Sequence, residues 1–282
     1  MAEKKYIRDV QVMFPEDLKE YMDRHKEGTY LLLDVRQPEE YTASHLPGSR
    51  LIPLPLLPGS LGELDRQRDT IVYCSMGGRS LAAARFLAIR GFEHVFQLTG
   101  GLDAWEDPTA ANSEEFHLEF IRGSESAREA ATIAYQMERG LEQFHRVARD
   151  RTGSMEVKNL LQKLVLAEES HSNKLLDLLK NMGCEPEPAG LDDDRMEGGL
   201  HIHEFLDQNE HYLQSPRTCL ELAMMIETQA LDLYLRMGQA CKDTLAGEVF
   251  FHIGNEEKIH LNALGELLGN EWNKPEPDSG QV

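Results

Sequence analysis

Two periodicities divide this chain. In the first hundred or so residues, short apolar runs alternate with helical stretches. Beyond that only the helical period remains. Residues 10–14 read as a first strand, and Pro15 opens a helix to about His25. Residues 30–34, Tyr-Leu-Leu-Leu-Asp, form a continuous apolar run, as expected of a strand covered on both faces. Residues 70–73 read as a second buried strand, leading into a helix over 81–88. Residues 94–98 read as a last short strand, and Gly100-Gly101 starts a small helix ending near Trp105. Between them, Pro53, Pro55 and Pro58 make residues 51–62 a rigid loop. Residues 106–113 are small, polar and Pro-containing, as in a linker.

Four long helices follow. The first spans about 124–150. The second runs from Ser154, an N-cap, to Met182, with Gly183 as its stop. A long connection over 184–214 contains Pro186, Pro188, Gly190, Gly198 and Gly199, with a short helix at 200–208. Ser215-Pro216 opens the third helix, to about Lys242. The fourth runs over 244–268 and is ended by Gly269, before a polar tail from Asn273 that is expected to be disordered. Two short-looped pairs joined by a long crossover is the connectivity of a ferritin-like bundle. The expected division is 1–108, a linker over 109–123, a bundle over 124–272 and a tail over 273–282.

Charge is unevenly shared. The chain of 282 residues has 29 basic and 49 acidic side chains, a net charge of −20. Residues 1–110 hold 13 basic and 17 acidic ones, and the remainder 16 and 32. Such a surface argues against nucleic acid and anionic membranes as partners. No apolar run approaches membrane-spanning length, and no apolar stretch follows the first residues as in a signal peptide. Cys74, Cys184, Cys219 and Cys241 are not spaced as metal knuckles or as a disulfide framework. A reactive thiol without a paired partner suits a reducing cytoplasm.

One cysteine stands apart. Cys74 lies in Tyr73-Cys-Ser-Met-Gly-Gly-Arg-Ser80, on a strand-to-helix turn. Gly77 and Gly78 allow a tight fold with inward N–H groups. The helix behind adds its positive end, and Arg79 adds a full charge. Together they favour a thiolate over an inert buried thiol, and the same cradle binds an anion. Four segments resemble the rhodanese family: 33–41, 44–49, the Cys74 loop, and 98–105, in the order and spacing of a single rhodanese domain. The resemblance implies a parallel α/β sheet and a catalytic Cys74 that accepts sulfane sulfur as a persulfide. Arg79 and the backbone from Ser75 through Met76, Gly77 and Gly78 to Ser80 would hold an anionic donor such as thiosulfate or a persulfide. The acceptor would be a thiol or a protein. Four residues separate Cys74 from Arg79, as in such sulfurtransferases; phosphatases on this scaffold carry one more.

The helices hold a second pattern. Glu168-Glu-Ser-His171 and Glu257-Lys-Ile-His260 each put a carboxylate and an imidazole on one helical face. Each is preceded, 30 residues earlier, by a Glu in an apolar stripe, Glu138 and Glu227, so the halves repeat with an offset of 89. An unpaired charge in such a stripe is costly to bury. Four carboxylates and two imidazoles can hold two divalent metals. Residues 124–270 resemble the rubrerythrin and ferritin-like di-iron carboxylate family. The resemblance implies Glu138, Glu168, His171, Glu227, Glu257 and His260 as ligands of two iron ions, and manganese suits the same set. Glu142, one turn from Glu138, is the rival ligand. Tyr234 keeps the family's aromatic seven residues after Glu227, whereas His145 stands there after Glu138. The additional carboxylate of rubrerythrins, and their rubredoxin module, have no counterpart here. The expected function is a rhodanese-type sulfurtransferase linked to a di-iron redox site. That site would reduce peroxide or oxygen, or oxidise the sulfur cargo. The alternative is a sulfur carrier whose bundle mainly forms a homodimer. Iron storage with a sulfur-sensing domain ranks last.

Overall fold

Residues 70–73 are buried on both sides, as suits the middle strand of a parallel sheet. The computed structural model describes residues 10–113, 124–183, 196, 201–241 and 244–272. Cys184, the prolines and glycines expected in the crossover, most of the expected linker and the tail lie outside the described residues. The sheet contains β1 (Gln11–Met13), β2 (Tyr30–Asp34), β3 (Arg50–Leu51), β4 (Asp69–Tyr73) and β5 (Val95–Leu98) in the order β1-β5-β4-β2-β3, every neighbouring pair parallel. Helices α1 (Pro15–Arg24), α2 (Pro38–Ala43) and α3 (Gly78–Ile89) connect them. Side chains alternate across each strand. Leu31, Leu33 and Val72 pack with Ala83, Ala84 and Leu87 of α3. Tyr30, Leu32, Ile71 and Tyr73 pack on the opposite face with Leu18 of α1. Helices on both faces explain why these strands read as unbroken apolar runs.

At the carboxyl end of β2, Asp34 and Arg36 are both buried and paired, Arg36 Nη2 lying 2.7 Å from Asp34 Oδ2. Arg36 Nη2 also donates to the Ser44 carbonyl at 2.6 Å. The pair fixes the chain beside the end of β4. The short α2, not anticipated, has Pro38 in its first turn, where the missing N–H costs nothing, and the Glu40 carboxylate accepts from Gln37 N at 3.0 Å.

The remaining helices are α4 (Ala127–Arg151), α5 (Met155–Asn181), α6 (Ile202–Gln208), α7 (Pro216–Ala240) and α8 (Leu245–Trp272). Ser126 caps α4 in a reciprocal box with Glu129, and Ser154 caps α5 through Val157 N. Helix α4 packs along α5 and α8. Gly269 does not end α8, which continues to Trp272. The Arg217 guanidinium lies over the Trp272 ring. That contact offsets the roughly 1 kcal/mol a helical glycine costs.

Contacts gather the described residues into two units. The end of α7, from Leu231, groups with the sheet unit. Buried Asp232 accepts from Gly48 N at 2.8 Å and from Arg236 Nε at 2.7 Å, and His45 Nε2 lies 3.4 Å away. Ala110, expected in the linker, is buried and bridges His45. The other unit comprises α4, α5, α6, α8 and the first part of α7. Among the described residues, no helix is long and apolar enough to cross a membrane.

Candidate functional site

The chain leaves β4 at Tyr73 and turns at once into the loop that opens α3. Gly77 has φ of 102°, which lets its N–H swing back to the Cys74 sulfur at 3.1 Å. Ser80 N, in the first turn of α3, points at the same sulfur from 3.4 Å, and Ser80 Oγ lies 3.6 Å from it. Burial by itself would push the Cys74 thiol pKa up. The Ser80 hydroxyl and the N–H groups of Ser80, Gly77 and Met76 outweigh it and hold the pKa below the ordinary thiol value. The loop rests on the 98–105 segment. Leu102 N donates to the Cys74 carbonyl at 2.8 Å and Asp103 N to that of Ser75 at 2.9 Å. Any Cβ on Gly101 would stand 2.1 Å from the Cys74 oxygen, so only glycine lets the two backbones meet. Buried Gln97 braces the other side, its Nε2 donating to the Leu98 carbonyl at 2.6 Å and to Ser80 Oγ at 3.3 Å. Cys74 itself is only 1% exposed, whereas Met76 at the tip of the loop is 77% exposed.

Arg79 is not a bare cation. Its two terminal nitrogens each lie 2.6 Å from a Glu40 oxygen, and Glu40 also accepts from Ser75 Oγ at 2.9 Å. The Arg79 fork and the Ser75 hydroxyl hold the Glu40 pKa down at about 2. The pair is partly exposed, so water screens it. The Ser80 side chain and the loop amides hold the Cys74 pKa down, and Arg79, though paired with Glu40, also interacts with the sulfur: Glu40 first, and then Cys74, raise the Arg79 pKa. The depressed thiol pKa has a direct consequence. Alkylation of Cys74 by iodoacetamide should have its pH midpoint below that of a free cysteine measured alongside, with the rate falling only as pH drops through the lowered pKa. Ser80→Ala should move that midpoint upward in the pH–rate profile.

A second cluster lies among α4, α5, α7 and α8. Glu138, Glu168, Glu227 and Glu257 are all fully buried, and His171 and His260 are nearly so. Donor atoms of Glu138, Glu168, His171 and Glu257 lie within 4.8 Å of one another. So do those of Glu227, Glu257 and His260, of Glu168, His171 and His260, and of His145, Glu168 and Glu227. Glu168 and Glu257 thus belong to sets on both sides, as bridging carboxylates would. Glu142 is turned away to Arg146 Nε at 2.8 Å and to Arg139, which separates it from Glu138. Burial, and then the neighbouring Glu227, raise the Glu168 pKa; burial raises that of Glu227 to about 8. Burial opposes ionisation of Glu257 too, but His171 and His260 hold it at about 2. Burial, and then the charge on His260, lower the His145 pKa to about 3.

The histidines lie 3.2–3.9 Å from the Glu168 and Glu257 oxygens, yet several polar atoms make no hydrogen bond. Both oxygens of Glu168 and of Glu257, Glu227 Oε2, His260 Nδ1 and His145 Nδ1 are buried without a hydrogen-bond partner. A buried carboxylate without compensation costs several kcal/mol. Four carboxylates converging on histidines can be compensated by divalent cations, and the donor set suits iron or manganese. A cavity of about 380 Å³ reaches His171 between Leu175, Leu178, Val249 and Ile253.

The six residues expected as ligands are thus brought together, as are those of the Cys74 loop. Sequence reasoning missed Glu40, Gln97 and His145. Only His145 carried a signal, since it lies two helical turns from Glu138 on the same face.

Known proteins resemble the first part of the chain. The family model described as a rhodanese-like domain matches residues 15–108. The rhodanese-like/PpiC domain-containing protein 12, chloroplastic, of Arabidopsis thaliana is 31% identical over 113 residues, 37% of this chain and 36% of that relative. The chain therefore spans about a third of that relative's length. A sulfurtransferase of Allochromatium vinosum is 36% identical over 75 residues, 27% of this chain and 70% of that protein. The solved rhodanese-like domain protein of Staphylococcus aureus is 26% identical, with a TM-score of 0.34, over 37% of this chain and 100% of that one.

Proposed function

The chain belongs to the rhodanese-like family through residues 15–108, and from that premise we propose that it is a sulfurtransferase in which Cys74 carries the sulfur. The observation that supports this most is the set of N–H groups from Gly77 and Ser80 aimed at the Cys74 sulfur. These donors favour the thiolate before reaction and the persulfide anion after it. With thiosulfate as donor, the Cys74 thiolate attacks the outer sulfur. A new S–S bond forms, the old one breaks, and sulfite departs with its electron pair. An acceptor thiolate then attacks the outer persulfide sulfur, and Cys74 leaves as the thiolate it was. Arg79 receives the anionic donor when Glu40 yields part of its fork, while Met76 and the loop amides from Ser75 to Ser80 line the approach.

The test is intact-mass analysis after incubation with thiosulfate. One added sulfur per chain on the Cys74 peptide, with one sulfite released, is expected. No adduct with thiosulfate or any persulfide donor would remove the reading.

We further read the helical unit as a rubrerythrin-like, ferritin-like four-helix bundle with a dinuclear site. Glu138, Glu168, His171, Glu227, Glu257 and His260 would hold two iron ions, or manganese. Bound there, such a pair would supply redox chemistry, one electron per metal, toward peroxide, oxygen or the sulfur cargo. The chain's own part is to hold the carboxylates and imidazoles converged and shielded from water, and to offer the cavity beside His171 as the way in. A cytoplasmic homodimer completes the reading. Exposed Leu166, Met225 and Ile259 on the helices are apolar side chains that a second copy could cover. They equally support the alternative, a sulfur carrier with a dimerisation scaffold, and metal content separates the two.

A further inference from the structure

We propose that His145 is a direct ligand of the dinuclear site, a third imidazole that makes its two metal positions chemically unequal. The proposal rests on the dinuclear reading above.

His145 is fully buried on α4, seven residues beyond Glu138 and so on the same helical face. Its Nε2 stands 3.1 Å from Glu227 Oε1. Its donor nitrogen lies within 4.8 Å of those offered by Glu168 and Glu227, a spacing that one cation can bridge. Nδ1 has no hydrogen-bond partner. A histidine kept for packing alone is ordinarily satisfied at its polar atoms. Here the ring turns one nitrogen toward a carboxylate whose other oxygen makes no hydrogen bond. The internal repeat points the same way. Offset by 89 residues, Glu138 corresponds to Glu227, Glu168 to Glu257 and His171 to His260, but His145 corresponds to Tyr234. The repeat is thus broken by a residue that can ligate, on one side only.

The two positions then differ in donor chemistry. One is carboxylate-rich: Glu138 and His171, with Glu168 and Glu257 shared. The other adds His145 to Glu227 and His260, two nitrogens against one. Nitrogen-rich sites favour iron, cobalt or zinc, whereas manganese prefers oxygen. The chain is therefore built to discriminate between its two metals, with manganese accepted more readily at the His171 side.

The probe is cobalt(II) titrated anaerobically into metal-stripped protein, read by paramagnetic proton NMR. Each imidazole bound through one nitrogen shows its remaining N–H as a strongly shifted, exchangeable signal. Three such signals are expected in the wild-type protein. Two are expected in His145→Gln, with one cobalt equivalent weakened by on the order of tenfold or more. Glutamine can still donate to Glu227, so a merely positioning His145 would leave both equivalents intact. Two signals in the cobalt-loaded wild-type protein would overturn the proposal, with no variant needed. No cobalt uptake by the wild-type protein would instead overturn the dinuclear reading, and the proposal with it.

Discussion

Cys74→Ser is expected to abolish sulfur transfer, by about 10⁴-fold or more in kcat/KM, the scale of losing a covalent nucleophile. Gly77 N, Ser80 N and the Ser80 hydroxyl hold the cysteine pKa below its ordinary value against the cost of burial. The same donors cannot bring a serine hydroxyl into the neutral range. Oxygen is also a poor nucleophile toward sulfane sulfur. The fold should be untouched, because serine is close in size and its oxygen keeps the Gly77 N–H as a partner. An unchanged circular dichroism spectrum and melting temperature would check this. Other thiols offer no substitute among the described residues. All three described cysteines are 1% exposed, but the Cys74 pKa is lowered by its donors, whereas burial pushes that of Cys219 up to about 12. Retention of thiosulfate-dependent sulfite release in Cys74→Ser would place the nucleophile elsewhere.

Much of this was legible in the residues, for local reasons. The run at 30–34 is apolar because β2 is covered on both faces, and that is visible without knowing what covers it. The caps at Ser126 and Ser154 are short-range hydrogen bonds, so helix starts could be read to within a few residues. The end of α8 could not. Gly269 is a stop signal only when nothing holds the next turn, and Arg217, fifty-odd residues away, holds it. Equally hidden was the grouping of the end of α7 with the sheet, which depends on Asp232 meeting Gly48. Glu40 illustrates the same limit at the site. Its sequence neighbourhood marks a helix start, but its partner Arg79 lies 39 residues on, and only the folded backbone brings them together. His145 is the intermediate case. Its face could be read from the helical period, but its proximity to Glu168 and Glu227 on other helices could not.

The second large effect concerns the metal. Glu168→Ala/Glu257→Ala should lower bound iron from about two per chain to none detectable by elemental analysis of anaerobically purified protein. These two residues are the ones common to sets on both sides of the cluster, so their loss strips each position of a carboxylate. Binding should also appear as stability. A site saturated at a thousand times its Kd adds about 4 kcal/mol, and each kcal/mol raises Tm by about 2–4 °C in a unit of this size. Adding iron(II) to stripped wild-type protein should therefore raise the melting temperature of the helical unit by roughly 8–16 °C per site. The double variant should not respond. The stripped protein should carry a pH signature as well. Glu227 has its pKa raised to about 8, chiefly by burial, and Glu168 is raised too. Between the ordinary carboxylate range and pH 8 the unfolded chain has released protons that the folded one still holds, so stability falls as pH rises. His171 adds to the fall above its unfolded value: burial lowers its pKa, but Glu138, Glu168 and Glu257 push it up further. Glu257, held at about 2, contributes fully throughout this window, and His145, held at about 3, opposes the fall only up to its unfolded value of about 6.5, so neither reverses the sign set by Glu227, Glu168 and His171. Urea midpoints should therefore be lower at pH 8 than at pH 5.5 in stripped wild-type protein, and nearly level once iron is bound. Equal iron in the wild-type and double-variant proteins would remove the six-ligand assignment and leave the helices as a scaffold for the sulfur-carrying loop.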